Sequence, residues 1–239
     1  MIRHDHPQGS PEWLAARAGV ITASRYKDAC DRLKGGAMSK AAAAYAAEVA
    51  VERIAGMPLG LDFQSWQMRA GQDQEPAARE AYELHSGELV EPAGLLTTDD
   101  GRFGYSPDGL VGVAGLVEVK TLLSASQIVK CIADGDISDY RHQCLGGLWL
   151  TGRQWIDLVL WAPALAPINR QLTVIRIEAA HECESIGQIG QQLAEFAELV
   201  DQHERTLRGS DAVKKALQAS GDHDKCKAAA EEVDKEQAA

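Results

Sequence analysis

The feature that most constrains this sequence is a pair of strand-forming segments joined by a short glycine-flanked turn. The segments cover residues 105–111 and 116–121, and the turn between them reads Gly-Val-Ala-Gly. A β-hairpin about this turn places Asp108 roughly opposite Glu118. Side chains alternate along a strand, so Glu118 and Lys120 share one face while the intervening valines point to the other. The hairpin therefore brings two carboxylates and an ammonium together over an apolar layer.

Two carboxylates with little positive charge around them are typical of a divalent cation site with oxygen ligands, for which Mg²⁺ is the first candidate. A lysine beside such an ion can orient or deprotonate a water molecule, which indicates phosphodiester cleavage. The alternative is a solvated hairpin in which Glu118 and Lys120 form an ordinary exposed ion pair. The dipeptide Pro107-Asp108 at hairpin distance favours the site over the exposed pair.

Length and composition predict one globular domain. The 239 residues are 45% hydrophobic and 25% charged, which suits a soluble protein with a sizeable core. No apolar run approaches the roughly 18 to 20 residues of a membrane span. No apolar signal segment opens the sequence, so we expect a cytoplasmic protein. We assign residues 1–209 to the domain and residues 210–239 to a polar tail, either a frayed helix or disordered.

Charge and cysteine content exclude two further classes of protein. The net charge is −11 and acidic residues outnumber basic ones in both halves, which excludes a basic protein that merely coats nucleic acid. The five cysteines are scattered, and none of them has the two-residue spacing typical of zinc or iron–sulfur sites. We therefore expect reduced, mostly buried thiols and no cluster.

Turn and capping signals predict helices, a hairpin region, two more strands and a closing helix. Ser10 is the expected N-cap of the first helix, Thr22 of the second and Ser138 of a later one. A helix over 67–84 either spans that range or begins at an Asp73 cap, with Pro76 in its first turn. The adjacent glycines 146 and 147 within a helix indicate close approach of a strand or a ligand. The other predicted elements are helices at 39–54, 124–133, 138–151 and 182–207, and strands at 89–98, 154–161 and 171–177.

Arg17 lies near two hydroxyl residues at a predicted helix start. Thr22 and Ser24, beside free backbone N–H groups, could form an anion site together with the Arg17 guanidinium. Threonine and serine at a helix start are more often simple caps, and composition alone favours that interpretation. Similarly, a glutamate such as Glu75 in a first helical turn is usually only a favourable partner of the helix dipole.

Six short motifs occur in a fixed order: Trp-Leu-Ala-Ala-Arg at 13–17, Gly-Val-Ile-Thr-Ala-Ser at 19–24, Gly71 with Glu75, Ser-Pro-Asp-Gly-Leu at 106–110, Glu-Val-Lys at 118–120, and Gln143 with Trp-Leu-Thr at 149–151. In these motifs the chain resembles the PD-(D/E)xK nuclease superfamily, and within it the family of phage lambda exonuclease and the YqaJ-like viral recombinases. The resemblance spans roughly residues 12–200. It implies an α/β fold with a restriction-endonuclease-like core, a central mixed β-sheet flanked by helices.

The resemblance also implies a role for each matching residue. The implied metal ligands are Asp108, Glu118, the backbone carbonyl of Val119, and Glu75 from its helix. Lys120 is implied to activate the attacking water.

Two further groups of residues are implied by the same resemblance. Tyr140 and Gln143 would steady the water or the scissile phosphate from their helix. Arg17, Thr22 and Ser24 would bind the 5′-phosphate of DNA, which reverses the interpretation that composition alone favours.

For the whole protein, the resemblance implies an alkaline-type exonuclease that uses Mg²⁺, with Mn²⁺ as a substitute and two ions per site. It would degrade one strand of linear double-stranded DNA in the 5′→3′ direction and leave 3′ single-stranded overhangs. The implied assembly is a homotrimeric ring that encloses DNA, with a single-strand annealing protein as its partner. The implied setting is phage or prophage recombination in the cytoplasm of a bacterial host. Family members carry Cys-Pro after the lysine, whereas this chain has Thr121 and Leu122, which leaves the local loop geometry open.

Three alternatives share parts of this pattern. A restriction or repair-type endonuclease of the same superfamily would carry the same Asp108, Glu118 and Lys120. A DNA-end-binding module without catalysis would not need all three residues. A nuclease with an iron–sulfur cluster would need grouped cysteines, which the scattered ones do not provide.

Overall fold

The computed structural model describes residues 1–59 and 66–209, apart from the side chains of 66–69 and 72. The predicted polar tail at 210–239 lies outside the described residues. The strands are β1 Ile2–His4, β2 Ile21–Thr22, β3 Leu95–Thr97, β4 Phe103–Tyr105, β5 Gly109–Val111, β6 Gly115–Thr121, β7 Trp155–Trp161 and β8 Leu172–Glu178. The helices are α1 Pro11–Arg17, α2 Tyr26–Ala29, α3 Lys40–Ala55, α4 Trp66–Ser86, α5 Ala125–Ile128, α6 Ser138–Thr151 and α7 Cys183–Gly209.

The strands form two mixed four-stranded sheets with helices around them. The first sheet has the order β1-β3-β4-β2, and its β2 and β4 are parallel. The second has the order β5-β6-β7-β8, with β6 and β7 parallel in register from Gly115↔Trp155 to Thr121↔Trp161. The mixed α/β architecture is confirmed, although the strands divide between two sheets.

The predicted hairpin is formed by β5 and β6. Gly109 pairs with Val117, and Val111 pairs with Gly115. This register carries Asp108 to the position opposite Glu118, as the sequence predicts. The first hairpin strand is shorter than predicted, because residue 105 ends β4 in the other sheet and residues 106–108 cross between the sheets. Pro107 has no N–H for a strand ladder, which explains why pairing stops there.

Several predicted boundaries are wrong for identifiable reasons. Helix α4 continues through Pro76, so the prediction of a helix spanning 67–84 is confirmed and the alternative start at an Asp73 cap is wrong. Ser138 is already helical, and its N–H is satisfied by the Asp136 side chain at 2.9 Å. Of the predicted strand at 89–98, only β3 is regular, and Glu91 adds a single bridge to Leu110.

The second sheet separates two groups of buried side chains. Val117 and Val119 face α4 and pack with Tyr82. The opposite face packs against α6, in a larger core that also includes α2, α3 and α7. Helix α4 is anchored to the sheet by the Tyr82 hydroxyl, which donates to buried Asp157 on β7 at 2.7 Å. Within the described chain, no helix is long and apolar enough to cross a membrane.

The glycine pair in α6 allows two tyrosine rings to approach the helix. A Cβ at Gly146 would lie 2.1 Å from the ring of Tyr26 on α2, and one at Gly147 would lie 2.6 Å from the ring of Tyr105 on β4. The predicted close approach to the helix is therefore confirmed, and the groups that approach the two glycines are the two tyrosine rings.

The cysteines in the described residues are free thiols, and three of them are buried: Cys30, Cys131 and Cys144. Burial raises the pKa of the Cys30 thiol to about 11, so this sulfur stays protonated at neutral pH.

Candidate active site

One cavity of about 860 Å³ contains both groups of residues that the sequence singles out. At one end lie the carboxylates and the lysine of the hairpin, together with a side chain from α6. At the other end lie the guanidinium of Arg17 on α1 and the hydroxyls of Thr22, which ends β2, and of Ser24 just after it. The predicted site residues that line the cavity are Arg17, Thr22, Ser24, Glu75, Asp108, Glu118, Val119, Lys120 and Gln143.

Glu118 lies at the centre of the first group and is only 2% exposed. Its Oε1 accepts hydrogen bonds from Lys120 Nζ at 2.8 Å and from Gln143 Nε2 at 2.5 Å. Its Oε2 accepts one from the Tyr105 hydroxyl at 2.8 Å. A buried carboxylate needs such partners to remain charged, and these three come from three different elements.

Asp108 is held beside Glu118 by the backbone. Its Oδ2 accepts the Val119 N–H at 2.6 Å, a contact that crosses the mouth of the hairpin. Burial raises the pKa of Asp108 well above its ordinary value, and the nearby charges of Glu118 and Glu75 raise it further. Glu75 is thus close enough to act on Asp108, although its carboxylate pairs with Arg79 at 2.6 Å.

Lys120 supplies positive charge to this group. Burial on its own lowers the pKa of Lys120, but Glu118 and Asp108 outweigh burial and raise the pKa above the ordinary lysine value. The ammonium lies 5.8 Å from the centre of the Tyr140 ring, which gives it a weak cation–π contact. Lys120 is therefore a protonated counterion of Glu118 in this arrangement.

The donor set fits a hard divalent cation in chemistry, although it is not a complete metal cage. Within the described residues, no three His, Cys, Asp or Glu side chains are grouped closely enough to hold a metal ion. Asp108 and Glu118 nevertheless offer carboxylate oxygens, the type of ligand that Mg²⁺ prefers. Burial is the main cause of the raised pKa of Asp108, and the charges of Glu118 and Glu75 add to it, an effect that a bound cation would offset. Glu75 would add a third carboxylate if its pairing with Arg79 were exchanged.

The second group forms a cationic cradle at the other end of the cavity. Arg17 Nη2 donates to Thr22 Oγ1 at 3.2 Å and to Ser24 Oγ at 3.0 Å. Thr22 occupies the predicted N-cap position, before the short 3₁₀ helix Ala23–Arg25, but its side chain makes no capping hydrogen bond. Among the described residues Arg17 contacts hydroxyls rather than a carboxylate, and burial lowers its pKa. A partly buried guanidinium with hydroxyl partners is suited to bind an anion.

The turn that carries this cradle is held by α3. Gly19 has φ +71°, and a Cβ there would lie 2.5 Å from Arg53. Its N–H donates to buried Glu52 at 3.0 Å, while Arg53 Nε donates to the Gly19 carbonyl at 2.9 Å. The chain between α1 and β2 is thus fixed on both sides.

Three cavity residues are not among those that the sequence predicts for the site. Trp13 Nε1 donates to Ser106 Oγ at 3.1 Å, and the Arg17 guanidinium lies 4.9 Å from the centre of the Trp13 ring. These contacts connect the cradle to the segment just before Asp108. Tyr105 is the third, and its bond to Glu118 could not be inferred from the hairpin pattern because Tyr105 belongs to the other sheet. Trp13 and Ser106 do lie within motifs that carry the family resemblance.

The departure at residues 121–122 leaves the local backbone regular. Thr121 still pairs with Trp161 as the last residue of β6, and the Leu122 N–H donates to the Trp161 carbonyl at 2.7 Å. Leu122 is fully buried in the core. The strand beyond Lys120 therefore continues without a bulge.

The mixed α/β fold, with two carboxylates and a lysine in one cavity, is the arrangement that the sequence predicts for a nuclease. The chain belongs to the family of the YqaJ-like viral recombinase domain, whose sequence profile matches residues 12–154. This match includes the cradle, the hairpin and the site residues of α6.

Solved structures agree with this assignment. The alkaline exonuclease LHK-Exo from Laribacter hongkongensis is 33% identical, with a TM-score of 0.67 over 83% of this chain and 98% of that one. The same enzyme in complex with dAMP is matched at 32% identity, with a TM-score of 0.68 and the same coverage. A phage-related exonuclease from Haemophilus somnus 129PT shares the fold at 16% identity and a TM-score of 0.58, over 77% of this chain and 94% of its own. No protein of curated function matches the sequence.

Proposed function

We propose that this protein is a Mg²⁺-dependent exonuclease that degrades one strand of linear double-stranded DNA from the 5′ end and leaves 3′ single-stranded overhangs. The observation that carries the proposal is a single cavity with the Asp108–Glu118–Lys120 cluster at one end and the Arg17 cradle at the other. A phosphodiester at the acidic end and a terminal phosphate at the basic end are the parts of one substrate.

Similarity to LHK-Exo supports the exonuclease part of this proposal. That enzyme is described as an alkaline exonuclease, and one of its structures contains dAMP. A 5′-mononucleotide is the product expected when a nuclease removes single residues from a 5′ end. The overhang that remains is the substrate for recombination by strand annealing.

The acidic end would hold the metal ions, two per site, through Asp108, Glu118, the Val119 carbonyl and Glu75. When bound, Mg²⁺ (or Mn²⁺) supplies polarisation of the scissile phosphate and neutralisation of charge on the departing oxygen. Asp108 is kept in place by the Val119 N–H, so its carboxylate needs no rearrangement.

Lys120 acts on the attacking water. Its raised pKa suits an ammonium that orients the water and stabilises negative charge better than it suits a free base. Gln143 bridges from α6 to Glu118 and steadies the water or the phosphate, with Tyr140 beside Lys120.

The basic end selects the DNA terminus. Arg17 would exchange its contacts to Thr22 and Ser24 for a 5′-phosphate that the two hydroxyls also bind. A charge-assisted hydrogen bond of this kind contributes about 1.5 to 3 kcal/mol. The enzyme should therefore prefer 5′-phosphorylated ends.

The proposed enzyme has one nuclease domain and works as an assembly of several copies. Residues 1–209 form the nuclease domain, and three copies assemble into a ring around duplex DNA in the cytoplasm of a bacterial host. A ring holds DNA by enclosing it, which is compatible with a net charge of −11. A phage-type single-strand annealing protein is the proposed partner.

The test is incubation of a linear duplex in Mg²⁺ with a 5′-phosphate at one end and a 5′-hydroxyl at the other. We expect mononucleotides released from the phosphorylated strand and a complementary strand that stays intact. A covalently closed circle of the same sequence is the control and should remain uncut. Cleavage of the circle would replace the proposal with a restriction or repair-type endonuclease, and binding of ends without products would indicate a non-catalytic module.

A further inference from the structure

The two oxygens of Glu118 have different partners. Oε1 is contacted by Lys120 and Gln143, two polar side chains of the cavity that are themselves partly exposed. Oε2 is contacted by the hydroxyl of Tyr105, a residue only 1% exposed. Oε1 therefore accepts from two partly exposed side chains, and Oε2 accepts from one hydroxyl of a fully buried residue.

The Tyr105 hydroxyl is fixed by elements outside the hairpin. Tyr105 ends β4, where it pairs with Leu96 of β3 in the first sheet. Its ring lies against Gly147 of α6, where any Cβ would come within 2.6 Å of it. The backbone of one sheet and the surface of a helix thus set where the hydroxyl meets Glu118.

We propose that Tyr105 is a positioning residue that keeps Glu118 Oε2 occupied, so that Oε1, once its partly exposed partners Lys120 and Gln143 give way, is the one oxygen that Glu118 offers to a cation. Ligation through one carboxylate oxygen favours Mg²⁺ and Mn²⁺ over Ca²⁺. This inference rests on the proposed function, because it concerns the ion that the nuclease uses.

The discrimination follows from the coordination that each ion accepts. Mg²⁺ requires nearly ideal octahedral geometry with short bonds, which single, well-oriented oxygens supply. Ca²⁺ accepts more ligands and often takes both oxygens of one carboxylate. A Glu118 released from Tyr105 could rotate and present both oxygens, so the loss of one hydroxyl would weaken the smaller ions more than Ca²⁺.

The experiment compares Tyr105→Phe with Tyr26→Phe in the full-length protein. Both rings are fully buried and lie on adjacent glycines of α6, but the Tyr26 hydroxyl points to the Gly104 carbonyl at 3.4 Å instead of a carboxylate. Mn²⁺ binding is measured by electron paramagnetic resonance of the free ion, and Ca²⁺ binding by competition. Thermal unfolding without metal verifies that each variant is folded.

We expect Tyr105→Phe to lower Mn²⁺ affinity about tenfold, the usual effect of losing a partner of a metal ligand, and to leave Ca²⁺ affinity within about threefold. Tyr26→Phe should bind both ions like the parent. If Tyr105→Phe does not fold, Gly147→Ala replaces it, because the added methyl displaces the ring from Glu118 and should produce the same shift between the ions.

Equal affinities for the parent and Tyr105→Phe would overturn the proposal, and so would an equal loss for Mn²⁺ and Ca²⁺. In either case Glu118→Ala should still abolish cation binding. That result would show that the cation binds at Glu118 and that only the role of Tyr105 is wrong. A parent protein that binds neither ion and cuts no DNA would instead overturn the proposed function, and this inference with it.

Discussion

Glu118 is the residue on which the contacts of the acidic site converge. It lies on β6, accepts hydrogen bonds from β4 and α6, and is the counterion of Lys120 two residues further on. Asp108 adds a second buried carboxylate beside the same lysine, and its pKa is raised by burial and further by the charges of Glu118 and Glu75. The site therefore stores electrostatic repulsion that a bound cation removes.

Asp108→Asn should lower DNA cleavage by at least about a hundredfold, because it removes a carboxylate that would hold the metal ion, which in turn stabilises the charge that develops in the reaction. The same change should leave the metal-free protein as stable as the parent or slightly more stable, since one of two repelling carboxylates is lost. Nuclease assays and chemical unfolding measure the two effects, with the exposed Asp134→Asn as the control. Retained cleavage would remove Asp108 from the site, and the same test applies to Glu118→Ala and Lys120→Ala.

Arg17→Ala should slow digestion of 5′-phosphorylated ends far more than that of 5′-hydroxyl ends. The difference should be roughly ten- to a hundredfold, which corresponds to a lost charge-assisted hydrogen bond of about 1.5 to 3 kcal/mol. The rates are compared on two duplexes that differ only in the terminal phosphate. Arg102→Ala is the control, because Arg102 pairs with Asp201 elsewhere. Equal slowing on both duplexes would mean that Arg17 is structural.

For single residues, the sequence predicts those side-chain positions that follow from alternation along a strand. Glu118 and Lys120 share a face because they are two residues apart, and Asp108 follows from the hairpin register. Tyr105 could not be predicted as a partner of Glu118, because no local pattern relates strands of different sheets. The anion cradle could be predicted only in part. Composition alone favours helix caps at Thr22 and Ser24, and the phosphate-binding role of Arg17 comes from the family motifs.

Helix α6 is the element that joins the site to the core. It presents Gln143 to Glu118, and one turn later its two glycines receive the rings of Tyr26 and Tyr105. Two adjacent glycines disfavour a helix, so their presence within α6 indicates that something packs closely against the helix there. The identity of the two rings depends on tertiary structure and is not predictable.

Gly146→Ala should destabilise the protein, which is the opposite of the usual effect of alanine in a helix. Alanine gains about 1 kcal/mol of helix propensity, but its Cβ would lie 2.1 Å from the Tyr26 ring. Overpacking of this kind costs about 1 to 3 kcal/mol, so we expect a net loss of about 1 kcal/mol in the free energy of unfolding. Gly187→Ala in α7 is the matched control, since nothing lies within 4 Å of its added methyl, and it should stabilise. Stabilisation by both changes would refute the packing argument.

For the whole molecule, turn and cap signals predict the longer helices and the strands of the second sheet, but neither the short strands β1 and β2 nor the division into two sheets. The segment at 106–108 changes sheet after Pro107, and the sequence shows only that pairing stops at the proline. This change of sheet is what gives the site its partners. The first sheet contributes Tyr105, the hairpin contributes Asp108 and Glu118, and the helices contribute Glu75 and Gln143. A ligand bound there should therefore stabilise the entire fold.

Divalent cations should raise the melting temperature and separate binding from catalysis. A cation at a hundred times its Kd adds about 2.7 kcal/mol to the free energy of unfolding, or roughly 5 to 10 °C for a chain of this size. Mg²⁺, Mn²⁺ and Ca²⁺ should all raise it by scanning calorimetry, but only Mg²⁺ and Mn²⁺ should support cleavage, because the looser coordination of Ca²⁺ misplaces the attacking water. Glu118→Ala should melt at the same temperature with or without cations. Undiminished cleavage in excess EDTA would remove the metal from the mechanism.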